Sequence, residues 1–536
     1  MQKKKKVIIS TYSNQLAREV YNAFVKHNTS NDLKIGIVIG KNNYLDIKKI
    51  DDEFYDFFYE PDCVKDFIIK KLKIENILFD DLFDECNIVE DNEKIVRENY
   101  CLDNRKELES FDYYDISITN HVFLLRNKNL KDYYILLDEV DRIFDAAVIV
   151  LTNSFSILRF KNLIKSAIKE TKDDKKIKAL NKIYKMSAKF LNDNLNEKYV
   201  KTYYSATSPI FKRFIENLAD FYKKNKKYDD IIKSSKNKSL ISEYAELKQI
   251  LKEDIEGIDA TIYFSPKKGY PSVCYAKAKI TGFLHNFFQG LNGCFGTSAT
   301  IFPTFKRDND TISYLFNKIG INKDMEPRRK FFFGKRIFPV ENTNIYIYKN
   351  MIALKSDDDG IPNESWVSSI SEEIKKTFDN KNSLVLVGGY AEADAIYDIL
   401  SKLLPQTNII KANKNMTVKS IVNKFKKEGG ILIGTRNYAV GIDLPGKELE
   451  KLYITKLLFP VQNSKYIFDL KSFNRTYAYF RCVDEMYITL RQACGRLIRS
   501  KTDSGDIYMF DNRILDKKYQ SGFEILEYLG KITIIQ

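Results

Sequence analysis

The sequence predicts an α/β fold: two parallel-sheet domains, the first interrupted by a helical insertion. Three observations carry this expectation. Short β-branched runs at residues 7–9, 135–137 and 384–387 stop at Gly, Asp, Ser or Thr and alternate with helical segments, the pattern of parallel strands with crossovers. Between the first blocks, residues 151–260 lack glycine before Gly257, hold one proline, Pro209, and space Ile157, Phe160, Ile164 and Ile168 along one helix face. With 536 residues, 44% hydrophobic and 30% charged, the chain can bury more than one core, which excludes disorder as its main state.

The elements follow in order. Residues 1–145 form the first α/β block, 146–258 the helical insertion, 259–335 the return to the first block and a linker, and 336–536 the second block. Of a net charge of +15, residues 151–260 hold nine, with 24 Lys and Arg against 15 Asp and Glu. Such a surplus favours polyanions, nucleic acid first, although a lysine-rich helical face is also a common solvated surface. No apolar run approaches the roughly 18 residues of a membrane span, and the three apolar residues after Lys3, Lys4, Lys5 and Lys6 are too few for a secretory signal. Seven scattered cysteines without a CxxC pair argue against a disulfide framework and for a reducing, cytoplasmic compartment.

The chemistry-bearing motifs begin at the end of a buried strand. Tyr133, Tyr134, Ile135, Leu136 and Leu137 lead into Asp138, Glu139, Val140 and Asp141, a Walker B pattern. At the carboxyl end of a parallel strand, Asp138 would hold Mg²⁺ and Glu139 would orient an attacking water. The same acids would also suit the start of a helix. Far downstream, Gln492, Gly495, Arg496 and Arg499 form QxxGRxxR, followed by Asp503, Gly505, Asp511 and Arg513. The spacing predicts one helix face carrying Gln492, Arg496 and Arg499, with guanidinium groups suited to phosphate and to charge on a transferring phosphoryl group. Between them lie Ser298, Ala299 and Thr300, then Thr435 and Arg436, then Gly441 and Asp443.

Together and in this order the motifs resemble superfamily-two helicases, specifically the DinG/XPD branch. Asp115 to His121 resembles that branch's D-x-x-x-TNH segment, Ser298 to Thr300 its coupling motif SAT, and Lys456 to Pro460 (KLLFP) its KLPFP. The resemblance implies two RecA-like domains of the P-loop NTPase type, ATP and Mg²⁺ as cofactors, and single-stranded DNA as partner, with RNA left open. It implies nucleotide contacts at Asp138, Gly441, Asp443, Arg496 and Arg499, and coupling at Ser298, Ala299 and Thr300. Thr11, Asn120, His121, Thr435 and Arg436 are the implied nucleic-acid contacts. The basic insertion takes the place of the family's arch, where Tyr203, Tyr204, Phe211, Phe214 and Tyr222 would stack bases or form the helices' own core.

Three departures qualify this. No GxxxxGK[ST] occurs anywhere, and Val7 to Thr11 with Gln15 and Leu16 resembles the family's segment just after its phosphate loop. A missing strand is expected to leave a gap near the middle of the first sheet. Explanations are a late start codon, a partner chain that supplies the strand, or a degenerate ATPase. Second, residues 46–110 read as a remnant of the iron–sulfur region, with Asp46 where the first cysteine would stand and Cys63, Cys86 and Cys101 widely spaced, so no cluster is expected. Third, Val440 stands where the family often has Glu. The pairing of cluster loss and a short chain resembles the DinG-type helicases of type IV CRISPR systems, with a CRISPR effector complex as a partner.

The expected activity is an ATP-dependent DNA helicase or translocase moving 5′-to-3′, in DNA repair or CRISPR-type defence. The alternative is a catalytically incomplete nucleic-acid-binding subunit that keeps the fold without hydrolysing ATP. A nuclease finds no metal cluster in the sequence to support it.

Overall fold

A computed structural model describes residues 6–536 apart from 29–31, 41–42, 59, 72–76, 80–81, 84–85, 87–95, 97–99, 102–109, 195–202, 206–207, 253–258, 265–270, 277–279, 299–318, 322–329, 331, 333–339, 353–361, 414–417, 441–443, 461–474, 499 and 501. The first sheet is built around β1 (Lys6–Thr11), whose apolar run buries Ile8 and Ile9 on opposite faces. β1 pairs in parallel with β3 (Ile116–Asn120) and with β4 (Tyr133–Asp138). β2 (Ile35–Ile37) and β9 (Cys294–Thr297) complete the order β2-β3-β1-β4-β9.

One face is covered by the helices His121–Arg126, Ile143–Leu151 and Ile280–Gln289, which pack Leu124, Ile143 and Leu284 against Ile8, Ile135 and Leu137. The other face carries the helix Asn14–His27, capped by Ser13 and packed through Ala17 on Ile9 and Ile118. That cover stops at β1. On the same face of β4 and β9, Tyr134, Leu136 and Phe295 are 43%, 38% and 58% exposed, and Leu136 lies in register with Phe295. The expected gap in the middle of the sheet is not there: β9 pairs directly with β4, and among the described residues β9 is the open edge, with all four residues exposed.

The insertion departs from the expected all-helical unit. Its helices Ile157–Glu170, Asp174–Asn194, Pro209–Asn225 and Lys238–Lys252 pack around Phe160, Ile183, Phe190, Phe211, Phe214 and Tyr244. They are joined to an antiparallel sheet, β5 (Thr152–Ser156), β6 (Tyr203–Ser205), β7 (Asp259–Phe264) and β8 (Pro271–Ala276), ordered β5-β8-β7-β6. The insertion therefore runs to Ala276 rather than to 258. β7 and β8 are β-branched and aromatic runs like those of the parallel sheets, and only their antiparallel pairing assigns them. Phe211 and Phe214 are core, not base stackers. Lys175, Lys178, Lys182, Lys185 and Lys189 stand at alternating steps of three and four along the Asp174–Asn194 helix, and all five are exposed on the face opposite Leu180, Ile183 and Phe190.

Residues 46–101 hold a small core of their own around Phe54, Phe67, Phe79 and Tyr100. Asp46 accepts from Lys48 N at 3.1 Å and caps a short turn, while Cys63 Sγ and Cys86 Sγ lie 2.6 Å apart.

The second domain is a seven-stranded parallel sheet ordered β12-β13-β11-β14-β15-β10-β16. Its strands are β10 (Thr343–Tyr348), β11 (Ser383–Leu386), β12 (Ile409–Lys411), β13 (Ile431–Gly434), β14 (Lys451–Ile454), β15 (Gly505–Met509) and β16 (Lys531–Ile535). Leu384 and Leu386 face one core and Val385 and Val387 the other, so β11, β13 and β14 are buried throughout, as continuous apolar runs in parallel sheets require. No helix among the described residues is long and apolar enough to cross a membrane.

Candidate nucleotide and nucleic-acid site

The acid pair lies at the carboxyl end of β4, where open parallel sheets bind ligands. Asp138 accepts from Glu139 N at 3.1 Å. Glu139 has φ 50°, the left-handed region that a non-glycine residue occupies at a cost of about 1 kcal/mol or more. That turn directs the chain into the short 3₁₀ segment Val140–Arg142 and then the helix Ile143–Leu151. Burial raises both acids above the ordinary carboxylate range, with the charge of Asp141 adding to it. For Asp138 the Glu139 N–H works the other way, and for Glu139 the cations Arg142 and Arg496 do.

Arg496 belongs to the second domain. The helix Arg475–Cys494 holds Gln492 in its last turn but ends two residues before Arg496, so the expected single helix face is broken. Gly495, a poor helix former, enters a tighter turn in which Arg496 N bonds Ala493 O at 3.1 Å. Arg496 Nε donates to Ala439 O at 3.2 Å, which ties it to the helix Arg436–Val440 behind β13. Arg491, one residue before Gln492, is pulled down to about 10 by burial, against the charge of Asp141.

Arg142 bridges the two domains. Its Nη2 donates to Gln492 Oε1 at 3.2 Å, Nη1 lies 3.4 Å from Asp145 Oδ2, and the guanidinium sits 5.7 Å from the Tyr12 ring centroid. Sequence reasoning missed it. The only signal was an arginine directly after Asp-Glu-Val-Asp.

Several expected nucleic-acid contacts are used inside the protein. Thr11 is fully buried and donates to Ser13 O at 2.8 Å, closing the turn after β1. His121 is fully buried between Ser10 Oγ at 2.8 Å and Asp138 O at 2.9 Å, and burial lowers its pKa to about 4, so a neutral ring braces the acid strand against β1. Asn120 Oδ1 accepts from Phe123 N at 2.7 Å, an N-cap. Thr435 is buried, and Arg436 donates to Thr489 Oγ1 at 3.0 Å and pairs with Glu485 at 3.3 Å. Ser298 follows β9, half-buried. Ala299, Thr300, Gly441, Asp443 and Arg499 lie outside the described residues.

A second buried network supports the strand ends of the second domain. Glu392, 3% exposed, accepts from Gly388 N at 3.0 Å and pairs with Lys456 at 2.8 Å. Asp511 accepts from Leu457 N at 2.7 Å and pairs with Arg513 at 2.6 Å, fixing the KLLFP loop. Nothing in the sequence joins Glu392 to Lys456 before the fold does.

A helicase C-terminal domain family matches residues 372–525, the segment that carries Arg436, Gln492 and Arg496. In sequence the chain is similar to DinG-type helicases, and in fold to XPD helicases. A solved XPD helicase superposes over 99% of this chain and 92% of its own, with a TM-score of 0.56 at 16% identity. The structure of an Xpd4 from S. tokodaii covers 99% and 91%, with a TM-score of 0.53 at 14% identity. These likenesses give the two RecA-like domains. In sequence, a probable ATP-dependent helicase of Methanocaldococcus jannaschii is 33% identical over 159 residues, 26% of this chain and 24% of that protein. A protein named 3′-5′ exonuclease DinG from Staphylococcus aureus is 27% identical over 216 residues, 39% of this chain and 22% of that protein. The chain thus aligns with about a quarter of the length of these relatives.

Proposed function

We propose that this chain is the body of an ATP-dependent helicase or translocase acting on single-stranded DNA, moving 5′-to-3′ in DNA repair or CRISPR-type defence from a cytoplasmic location. The carrying observation is the placement of Arg496, from the second domain, where its charge acts on Glu139, which follows Asp138 at the carboxyl end of β4. Mg²⁺ needs only one or two carboxylates beside substrate phosphates, and Asp138, whose charge burial disfavours, fits that need. With ATP, such an ion supplies charge neutralisation on the phosphates. Glu139 would orient water, Arg496 would stabilise charge on the transferring group, and the Lys175 to Lys189 stripe would track a nucleic-acid backbone.

Turnover also needs a phosphate cradle, and the first sheet has room for one. Connections within a parallel sheet are right-handed. The path from β1 toward β2 lays the Asn14–His27 helix on one face, while paths toward β9 lay theirs on the other. A strand beside β9, linked onward to β1, runs in the first direction. Its helix would cover Tyr134, Leu136 and Phe295 and begin beside Asp138, with free N–H groups for phosphate.

The rival reading, a nucleic-acid-binding subunit without hydrolysis, is favoured by the absence of GxxxxGK[ST] from the sequence. One assay separates the two: ATP hydrolysis with single-stranded DNA, by the chain alone and with a strand–GxxxxGK[ST]–helix unit fused ahead of β1 or added in trans. Restored turnover supports the motor; DNA binding without turnover in every format supports the rival. Robust turnover by the chain alone, undiminished in Glu139→Gln, would overturn the site assignment.

A further inference from the structure

We propose that Arg142 is a positioning residue that latches the two domains together and sets Glu139 against Arg496 of the second domain. This rests on the motor reading of the cleft, and it explains contacts which that reading leaves unused.

The three partners of Arg142 belong to three separate elements. Gln492 lies in the last turn of the long helix of the second domain, Asp145 in the first turn of the helix Ile143–Leu151, and Tyr12 opens the turn that leaves β1. The side chain is only 15% exposed, so its charge has lost most of its water and depends on these groups. A planar guanidinium can donate in two directions while its face lies on an aromatic ring, which an ammonium cannot do from one position.

The backbone connects this latch to the chemistry. Arg142 N donates to Glu139 O at 2.8 Å, closing the same short turn in which Glu139 takes its left-handed conformation. A displacement of Gln492 therefore pulls on the one turn that aims Glu139. Opening the cleft by an ångström or two breaks the 3.2 Å bond to Gln492, while Asp145 and Tyr12 stay with Arg142 on the first domain. The contact across the cleft is thus specific to the closed arrangement.

The test reads domain separation in the full chain by single-molecule energy transfer between one dye on each domain, without nucleotide. Arg142→Lys and Gln492→Ala should each lower the closed-to-open ratio by about tenfold, the worth of a charge-assisted hydrogen bond. The double variant should fall no further than either single one, and Asp145→Asn should leave the Gln492→Ala effect in place. Arg142→Lys keeps the charge, and Gln492→Ala removes no buried apolar contact, so folding of both variants is checked by an unchanged far-ultraviolet spectrum. An unchanged ratio in both, or effects that multiply in the double variant, would overturn the latch. Because no hydrolysis is read, loss of the motor reading in the ATPase assay and loss of the latch here are separate results.

Discussion

The two parallel sheets differ in how completely they are covered. The second has seven strands with apolar cores on both faces, and Leu384, Val385, Leu386 and Val387 are all fully buried. Among the described residues the first has five, and beyond β1 one of its faces is partly exposed, with Phe295 58% exposed on the edge strand. Parallel sheets normally have both faces covered. The comparison teaches that the apolar residues of the second sheet are sealed on both faces, whereas those at the β4–β9 side of the first, next to the acid pair, keep partial contact with solvent.

The largest effect that would break this comparison is catalytic. Adding the strand–loop–helix unit should raise DNA-stimulated ATP hydrolysis from background, and Glu139→Gln or Arg496→Ala should then cut it by about 10²-fold or more, measured as phosphate release. A stability contrast comes next. Leu386→Ala, in the sealed sheet, should cost about 2–5 kcal/mol in denaturant unfolding, whereas Leu136→Ala, on the partly exposed face, should cost less, about 1–2 kcal/mol. Equal costs in the two domains would show that the two sheets are equally well covered.

Changing Lys175, Lys178, Lys182, Lys185 and Lys189 to Gln should reduce the salt slope of single-stranded DNA binding by up to about 3.5, at about 0.7 per phosphate contact. An unchanged slope would move the DNA track elsewhere. Within the insertion, Asp229 pairs with Lys248 at 2.6 Å and accepts from Tyr244, and these partners hold its pKa below the ordinary value despite burial. Its contribution is therefore present above about pH 4 and lost as pH falls through the lower folded value. Asp229→Asn should cost about 1 kcal/mol at pH 7 and nothing at low pH, read by thermal unfolding.

The fold class and the acid strand were legible because each rests on local pattern: buried runs of strand length, turn residues, and a helical period of 3.6. The end of the insertion was not, because β7 and β8 have the composition of parallel strands and only their long-range pairing with β5 and β6 identifies them. Motif matching found Asn120 and His121 but not their use: His121 is a buried brace between Ser10 and Asp138, a role set by partners 111 and 17 residues away. Arg142 and Glu392 escaped for the same reason, since a side chain's partner in another element leaves no mark in its own neighbourhood.

The single tryptophan of the chain, Trp366, is 2% exposed in the second domain's core beside Ile370 and Val385. Its emission is a built-in reporter for that half of the molecule and is silent on the other. If the partly exposed domain melts first, circular dichroism will register a loss of structure while tryptophan fluorescence stays blue, and the two signals will converge only when the sealed domain unfolds.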